Sequence, residues 1–160
     1  MDESRALSYC LWLLGRRAHT AAELRERLGR REVEPEVISG VLDRLRGWGY
    51  VDDAEFSRQF VRSRQGRYGK LRLRAELRHR GVKEETAEEG LGLLTDTSQL
   101  EAARSLLERN AWRFRRSADP QRDRARAWAF LARRGFPPPV VTEALEGFPV
   151  GRDQDPASSD

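Results

Sequence analysis

Residues 58–81 read RQFVRSRQGRYGKLRLRAELRHRG, and the fold prediction starts from this stretch. It contains nine Lys or Arg residues and a single acid, Glu76. Phe60 in its first half, and Leu73 and Leu77 in its second, recur at helical spacing among the cations. The spacing predicts that the positive charge is carried on helices, because a disordered basic tail has no need of buried leucines.

The second half of this stretch occurs three times in altered form. A shift of 49 residues superposes Leu24, Leu28, Arg31 and Val33 on Leu73, Leu77, Arg80 and Val82. A further shift of 54 residues superposes Leu77, Arg80, Gly81 and Val82 on Leu131, Arg134, Gly135 and Phe136. A period of about 50 residues with three helices in each period is typical of tandem helical repeats.

We therefore predict an all-α fold of three tandem three-helix modules that form an elongated, curved array. The predicted modules cover residues 4–51, 52–95 and 96–148. Residues 149–160 are almost without apolar side chains and are predicted to be a disordered tail.

Capping signals place the helix starts. Residues 20–23 (TAAE) form a capping-box sequence, and residues 52–55 (DDAE) look like a second one. Pro35 suits a first helical turn, and Asp119 followed by Pro120 is a cap with proline at the first helical position. Gly81 is predicted to end its helix in the left-handed conformation.

Two helices carry more specific expectations. In the first helix, Leu7, Leu11 and Leu14 fall at i, i+4 and i+7 with Cys10 beside them, which predicts an apolar stripe that includes all four residues. The helix predicted over residues 84–94 contains Gly90 and Gly92, each of which costs about 1 kcal/mol relative to alanine. We therefore expect this helix to be the least stable.

Composition limits the classes of protein. Of the 160 residues, 38% are hydrophobic and 35% charged, which suffices for one apolar stripe per helix but not for a thick single core. The single cysteine, Cys10, excludes disulfides within the chain and cysteine-based zinc sites. Neither a signal peptide nor an apolar run of spanning length occurs, so we expect a cytoplasmic protein with no membrane partner.

Charge is strongly segregated along the chain. The net charge of +4 divides into −2 for residues 1–57, +8 for 58–80, −5 for 81–108, +7 for 109–134 and −4 for 135–160. We call residues 58–80 the first basic segment and residues 109–134 the second. Arginine supplies 28 of the 30 cations, and its planar fork binds phosphates and carboxylates in a bidentate manner.

Arginines four residues apart form ridges on one side of a helix, as in the pair Arg58 and Arg62. Because mixed signs are expected on a solvated face, these ridges predict a surface that contacts a polyanion or an acidic protein. The alternative is that the cations provide solubility and pair with the acidic segments 81–108 and 135–160. The candidate contact residues are Arg58, Arg62, Arg64, Arg67, Lys70, Arg72, Arg74, Arg78, Arg80, Arg113, Arg115, Arg116, Arg122, Arg126 and Arg133.

No other residues form a convincing chemical site. Asp52, Asp53 and Glu55 are a carboxylate cluster, but their place directly before a helix favours capping over a metal site. A metal hydrolase that uses Asp52 and Asp53 is the remaining enzymatic alternative. His19 and His79 lack the spacing of a metal pair. We predict no catalytic residue, no metal ligand and no cofactor, and we do not expect an enzyme.

The four tryptophans are predicted to be packing residues. We expect Trp12 and Trp128 in the core or at a module junction, Trp48 as a wedge between modules, and Trp112 in a packing role. For Trp112, which lies within the second basic segment, stacking on a nucleic-acid base is the alternative.

Several of these motifs occur together in one known family. They are the segment from Ala6 to Leu14, TAAEL (20–24), GYVDDAEF (49–56), Gly69, Glu76-Leu77, RGV (80–82) and FLARRGF (130–136). In their order and spacing the chain resembles the RecX regulatory proteins over residues 6–146. The resemblance implies a bacterial, three-repeat, all-helical modulator. It also implies that the partner is the RecA recombinase filament, whose ATPase, strand-exchange and coprotease activities are inhibited.

We therefore expect a monomeric interaction protein that acts on recombination, DNA repair and the SOS response. Single- or double-stranded DNA is a further candidate partner. The alternative function is a sequence-independent DNA-binding helical protein that acts without a recombinase, because basic three-helix modules resemble helix-turn-helix units.

Overall fold

The structure is a computed structural model that describes residues 1–115 and 117–150. Residues 151–160, most of the predicted disordered tail, and the candidate contact residue Arg116 lie outside this part. The described chain contains nine α-helices, one short 3-10 helix and no strand, which confirms the all-α prediction. The α-helices are α1 (Glu3–Leu14), α2 (Ala21–Gly29), α3 (Pro35–Gly47), α4 (Asp53–Arg64), α5 (Lys70–His79), α6 (Glu84–Leu91), α7 (Asp96–Arg109), α8 (Pro120–Arg133) and α9 (Pro138–Leu145), and the 3-10 helix is Ala111–Phe114.

The helix starts follow the predicted capping signals. Thr20 and Glu23 form the complete capping box of α2, and Asp119 caps α8 ahead of Pro120. Asp52 accepts from the backbone amide of Glu55 at 3.0 Å, as an N-terminal cap of α4 does. At α7 the structure adds a capping box built by Thr95 and Ser98, which the sequence pattern had not indicated.

The described residues form two compact units. The first contains residues 1–63 and 74–93, and its buried cluster joins side chains of α1, α2 and α3 with Val51. The second contains residues 64–73 and the described residues from Leu94 onward, and its cluster joins side chains of α7, α8 and α9 with Phe114 and Phe136. Each unit thus holds helices around a core of its own.

The first helix of each repeat turns residues with the spacing i, i+4 and i+7 towards its neighbours. These residues are Ala6, Cys10 and Leu13 in α1, Asp53, Ser57 and Phe60 in α4, and Gln99, Ala103 and Leu106 in α7. The expectation for α1 is therefore correct for Cys10, whereas Leu7, Leu11 and Leu14 are only partly buried. Ala6 and Cys10 are fully buried, so the small residues of the stripe, and not its leucines, face the core most directly.

The tryptophans contradict their predicted packing roles. Their exposed fractions are 54% for Trp12, 52% for Trp48, 60% for Trp112 and 38% for Trp128. The cores consist mainly of Leu, Val, Ala and Phe, and short helices leave little room for an indole. Two of the indoles are instead covered by guanidinium groups, with Arg16 over Trp12 at 4.6 Å and Arg44 over Trp48 at 5.1 Å.

Two glycines end the second helices of the second and third repeats in the left-handed conformation. The φ angle is 80° at Gly81, as predicted, and 90° at Gly135. A Cβ atom at Gly81 would lie 2.3 Å from the Cβ of Ala22, and one at Gly135 would lie 2.3 Å from the Cβ of Arg72. Both positions therefore need glycine for its conformation and for its size. Glu32 takes the corresponding place in the first repeat, with a φ of 56°.

Helix α6 has a packing reason for its unfavourable glycine. A Cβ atom at Gly90 would lie 2.3 Å from the carbonyl oxygen of Ser57, so α6 approaches the α4 backbone as only glycine permits. The helix ends at Leu91, three residues before the predicted end at Leu94. The side chain of Leu94 is buried as expected.

Replacing Gly81 by alanine should destabilise the protein more than the same change at Gly49. Gly49 has a similar φ of 79° but nothing within 4 Å of its Cβ position, so Gly49→Ala costs only about 1–2 kcal/mol of backbone strain. Gly81→Ala adds an overpacking term of about 1–3 kcal/mol. Thermal and urea denaturation measure both free energies of unfolding, and equal losses would show that the contact with Ala22 contributes nothing.

The stability of the first unit should fall as the pH drops below about 6.5, the pKa of an unperturbed histidine, because of His19. This side chain is buried, its Nδ1 donates to the Arg17 carbonyl at 2.9 Å, and burial lowers its pKa. The unfolded chain therefore takes up the proton at a higher pH than the folded chain, so acidification favours unfolding. Denaturation of His19→Gln at several pH values should show a weaker decline, whereas the exposed His79→Gln should retain it. An unchanged decline in His19→Gln would contradict this assignment.

Candidate functional site

Besides the long contact of Arg62 with Glu55 at 4.0 Å, three arginines of the first basic segment form ion pairs within the first unit. Arg58 Nε lies 2.9 Å from Glu55, and its Nη1 lies 3.4 Å from Glu89 of α6. Arg74 contacts Glu88 of α6 at 3.1 Å. The contacts of Arg58 and Arg74 with α6 are those expected under the alternative interpretation, in which the cations pair with the acidic segment 81–108. Such side chains are held by the fold and offer less to a partner.

Arg80, the third of these arginines, links two repeats of the first unit. Its Nη1 lies 3.3 Å from Glu23 of α2, and its guanidinium carbon lies 5.4 Å from the ring centroid of Phe60. Its backbone carbonyl accepts from the Thr20 hydroxyl at 2.7 Å. Arg80 therefore has a structural role in addition to its charge.

In the second unit, arginines surround Tyr68. The guanidinium carbon of Arg72 lies 4.0 Å from the ring centroid, that of Arg134 at 5.6 Å and that of Arg67 at 5.9 Å. Arg134 also donates from Nη1 to the Arg67 carbonyl at 2.9 Å. Cation–π contacts thus hold the guanidinium groups of all three arginines against the Tyr68 ring. Arg64 and Lys70 nearby in the sequence are half-buried.

The arginines of the second basic segment also include some that are held by neighbouring side chains and some that are exposed. Arg113 lies over Phe130 at 5.2 Å, and Arg126 contacts the fully buried Asp123 at 3.6 Å. Arg115 is half-buried, whereas Arg122 and Arg133 are exposed.

Three of the candidate contact residues, Arg78, Arg122 and Arg133, are exposed and have no ion pair with any described residue. Arg62 and Arg67 are also exposed, but Arg62 lies 4.0 Å from Glu55 and Arg67 takes part in the Tyr68 cluster. A partner surface built from the predicted residues therefore has these three as its most available cations.

Asp52, Asp53 and Glu55, the carboxylate cluster of the sequence, accept hydrogen bonds at the starts of helices and from neighbouring side chains. Asp52 caps α4, and Asp53 Oδ1 accepts from the Ala21 amide at 3.0 Å. Glu55 accepts from Gln59 and Arg58, and these hydrogen bonds lower its pKa. The described residues contain no group of three or more His, Cys, Asp or Glu side chains placed to hold a metal ion.

Asp53 and Gln99 perform the same task at two repeat junctions. Asp53, on the first helix of the second repeat, accepts from Ala21, the first residue of α2. Gln99 Oε1, on the first helix of the third repeat, accepts at 2.8 Å from Lys70, the first residue of α5. We call this hydrogen bond from the first amide of a second helix to the next repeat the repeat latch. It occupies one of the amides that a helix start leaves without an intrahelical partner.

A second contact accompanies each repeat latch. The carbonyl of Arg80 accepts from Thr20 Oγ1, and the carbonyl of Arg134 accepts from the Gly69 amide, both at 2.7 Å. Each of these carbonyls directly precedes a left-handed glycine, Gly81 or Gly135. Arg80-Gly81-Val82 and Arg134-Gly135-Phe136, which the shift of 54 residues superposes, thus form an Arg-Gly-apolar motif that contacts the preceding repeat.

The three repeats match three models of one protein family, in order along the chain. Residues 6–45 match the first three-helix domain of RecX, residues 52–91 the second and residues 97–145 the third. The chain belongs to the RecX family. The prediction of tandem three-helix modules and the resemblance noted from the motifs are therefore confirmed.

Named relatives agree with this family. The chain is 43% identical over 141 residues to the regulatory protein RecX of Thermus thermophilus, covering 88% of this chain and 90% of that protein. It is 40% identical over 147 residues to the regulatory protein RecX of Deinococcus radiodurans, covering 89% and 70% respectively.

Solved structures of the family share the fold. The crystal structure of RecX from Lactobacillus salivarius superposes with a TM-score of 0.81 at 19% identity, covering 92% of this chain and 96% of that one. A second crystal structure, of a regulatory protein RecX, gives 0.80 at 24% identity, covering 91% and 72%. In the part of the chain described for this family member, no helix is both long and apolar enough to cross a bilayer.

Removing the side-chain acceptor of the first repeat latch should destabilise the protein. Asp53→Ala leaves the Ala21 amide without its partner, which costs about 1–2 kcal/mol of unfolding free energy. Asp53→Asn keeps an oxygen at the same place and should cost much less, because Gln99 already performs this task as an amide. Urea denaturation measures both values.

Asp43→Ala is the control for this experiment, since it removes only an exposed ion pair with Arg46 and should stay within about 0.5 kcal/mol of the parent. A loss in Asp53→Asn as large as that in Asp53→Ala would show that the negative charge, and not the acceptor, is required.

Proposed function

We propose that this RecX family member binds the RecA recombinase nucleoprotein filament and inhibits its ATPase, strand-exchange and coprotease activities. It would thereby modulate recombination, DNA repair and the SOS response. The observation that carries the proposal is the ordered match of three RecX domains over residues 6–145, together with relatives named as regulatory proteins. The chain acts in the cytoplasm, as a monomer, by binding and without catalysing a reaction.

The partner contact depends on cations that the fold leaves available. Arg78 of the first basic segment and Arg122 and Arg133 of the second are exposed and have no ion pair with any described residue. A guanidinium group donates two parallel hydrogen bonds to a carboxylate or a phosphate, so the same side chains suit acidic protein surface and filament-bound DNA. Inhibition is then mechanical, through bridging of neighbouring protomers or obstruction of DNA exchange.

Other predicted contact residues are better explained by stability. Arg58, Arg74 and Arg80 pair with Glu89, Glu88 and Glu23 inside the first unit. These ion pairs hold the three guanidinium groups against the fold, so they are less available to a partner than Arg78, Arg122 and Arg133.

The triple variant Arg78→Ala/Arg122→Ala/Arg133→Ala should weaken inhibition of the RecA filament ATPase by about tenfold. Exposed charge contacts contribute about 0.5 kcal/mol each, and three of them sum to roughly 1.4 kcal/mol, which is a factor of about ten. The measurement is the concentration of variant that halves ATP hydrolysis on single-stranded DNA. The melting temperature should not change.

The charge-matched control is Arg25→Ala/Arg27→Ala/Arg104→Ala, which removes three exposed arginines outside both basic segments. This control should inhibit like the parent. If both triples lose inhibition equally, only net charge matters and the proposed contact is wrong. Co-sedimentation of the parent with ATP-loaded filaments tests the function itself, and absence of binding at moderate salt would overturn it.

A further inference from the structure

A groove of about 430 Å³ lies within the first unit, between α2 of the first repeat and the end of α5 in the second. Besides His79, its charged lining consists of four cations and two acids, which are Arg17, Arg27, Arg30, Arg80, Glu23 and Glu26. Four arginines against two glutamates give it a net charge of +2. We call it the junction groove.

One carboxylate holds two of these arginines in place. Arg17 Nη1 lies 3.0 Å from Glu23 Oε2, and Arg80 Nη1 lies 3.3 Å from Glu23 Oε1. The Thr20 amide also donates to Glu23 at 3.3 Å, so the carboxylate is itself fixed by the capping box of α2. The Nε and Nη2 groups of both arginines form no hydrogen bond with any described residue. The fold therefore positions two guanidinium groups without using most of their donors.

Arg27 adds a cation that is not neutralised. It is exposed and forms no ion pair within the described part of the chain, whereas Arg30 is paired with Glu26. Arg27 lies four residues after Glu23 on α2, which is about 6 Å along the helix axis. The junction groove thus offers unused donors at two places, so it suits two linked anionic groups better than a single one.

These cations are not needed for the contact between repeats. The shift of 49 residues places Gly66 at the position of Arg17 and Glu76 at the position of Arg27. The second and third repeats nevertheless form the same repeat latch and the same contact before a left-handed glycine. Because the junction forms without them there, Arg17 and Arg27 are available for a ligand.

We propose that the junction groove binds a pyrophosphate group, either as free pyrophosphate or within a nucleoside diphosphate or triphosphate. Guanidinium groups donate paired hydrogen bonds to phosphate oxygens, and a pyrophosphate places two charged phosphoryl groups in a compact volume. An extended polyanion instead follows a continuous positive groove, which Glu23 and Glu26 interrupt here. The site is separate from Arg78, Arg122 and Arg133, so the loss of Arg27 leaves the proposed filament contact unchanged.

The experiment is calorimetric titration of the chain with pyrophosphate at constant ionic strength, without magnesium, DNA or recombinase. Sulfate is the reference anion, and pyrophosphate should bind at least tenfold more tightly, because only the longer anion reaches both places. Arg27→Gln should weaken pyrophosphate binding by about tenfold, the loss of one charge-assisted contact. Its melting temperature should not change, since Arg27 has no ion pair with a described residue. Equal affinities of the parent for the two anions would overturn the proposal.

Arg25→Gln is the matched control. Arg25 is an exposed arginine of the same helix that does not line the junction groove, so this variant should bind pyrophosphate like the parent. Equal losses in Arg25→Gln and Arg27→Gln would show that only net charge matters, and the proposed site would be wrong.

Glu26→Gln should have the opposite effect to Arg27→Gln. It removes a negative charge from the junction groove and releases Arg30, so pyrophosphate should bind about two- to threefold more tightly. Failure to strengthen binding would contradict the placement of the anion in this groove.

Titration with ATP under the same conditions separates the two sources of the ligand. If ATP binds at least as tightly as pyrophosphate and loses affinity in Arg27→Gln, the junction groove accepts the pyrophosphate group of a nucleotide. If only free pyrophosphate binds, the inorganic anion is the ligand. Absence of binding by both would overturn the proposal. Because the assay contains no recombinase, its result is independent of whether the proposed filament inhibition is correct.

Discussion

The arrangement of this chain depends on one hydrogen bond that recurs at successive repeat junctions. The start of a helix leaves backbone amides without intrahelical partners, and a buried amide without an acceptor is costly. Asp53 and Gln99 meet this requirement from the next repeat, so the start of α2 and the start of α5 are each completed by a residue far along the chain. The close approach at Gly81 and Gly135 follows at the same junctions. Within each unit, a three-helix repeat is thus joined to its neighbour by a helix start and a glycine that fit only together.

The helices were predictable because their signals are local. The caps at Thr20, Asp52 and Asp119 stabilise helix starts through atoms a few residues away, so they can be read directly from the sequence. The repeat was predictable for the same reason, since the Arg-Gly-apolar motif recurs at equivalent helix ends. The role of Asp53 was not, because its acceptor function depends on an amide 32 residues earlier in the chain. The tryptophans were placed wrongly because size and hydrophobicity do not show whether a short helical repeat has room for an indole.

The charge distribution was predictable only in outline. Sequence composition identifies two basic segments, but it does not distinguish a cation held by the fold from one that is available to a partner. In the first unit, α6 brings Glu88 and Glu89 to Arg74 and Arg58. The helix that carries Arg74 leaves Arg78 exposed one turn later. The net charge of a whole segment steers a partner at a distance, whereas only a few of its side chains are available for direct contact. The sequence alone does not distinguish these two properties.

Glu32 distinguishes the first repeat from the other two. In the other two repeats the corresponding glycine lies so close to the preceding repeat that a Cβ atom would overlap it. The first repeat also has Ala6 where the others have Asp53 and Gln99, so it offers no oxygen to the start of another helix. The first repeat therefore lacks both features through which the second and third repeats contact the repeat before them, and the three repeats are not interchangeable although they share one helical pattern.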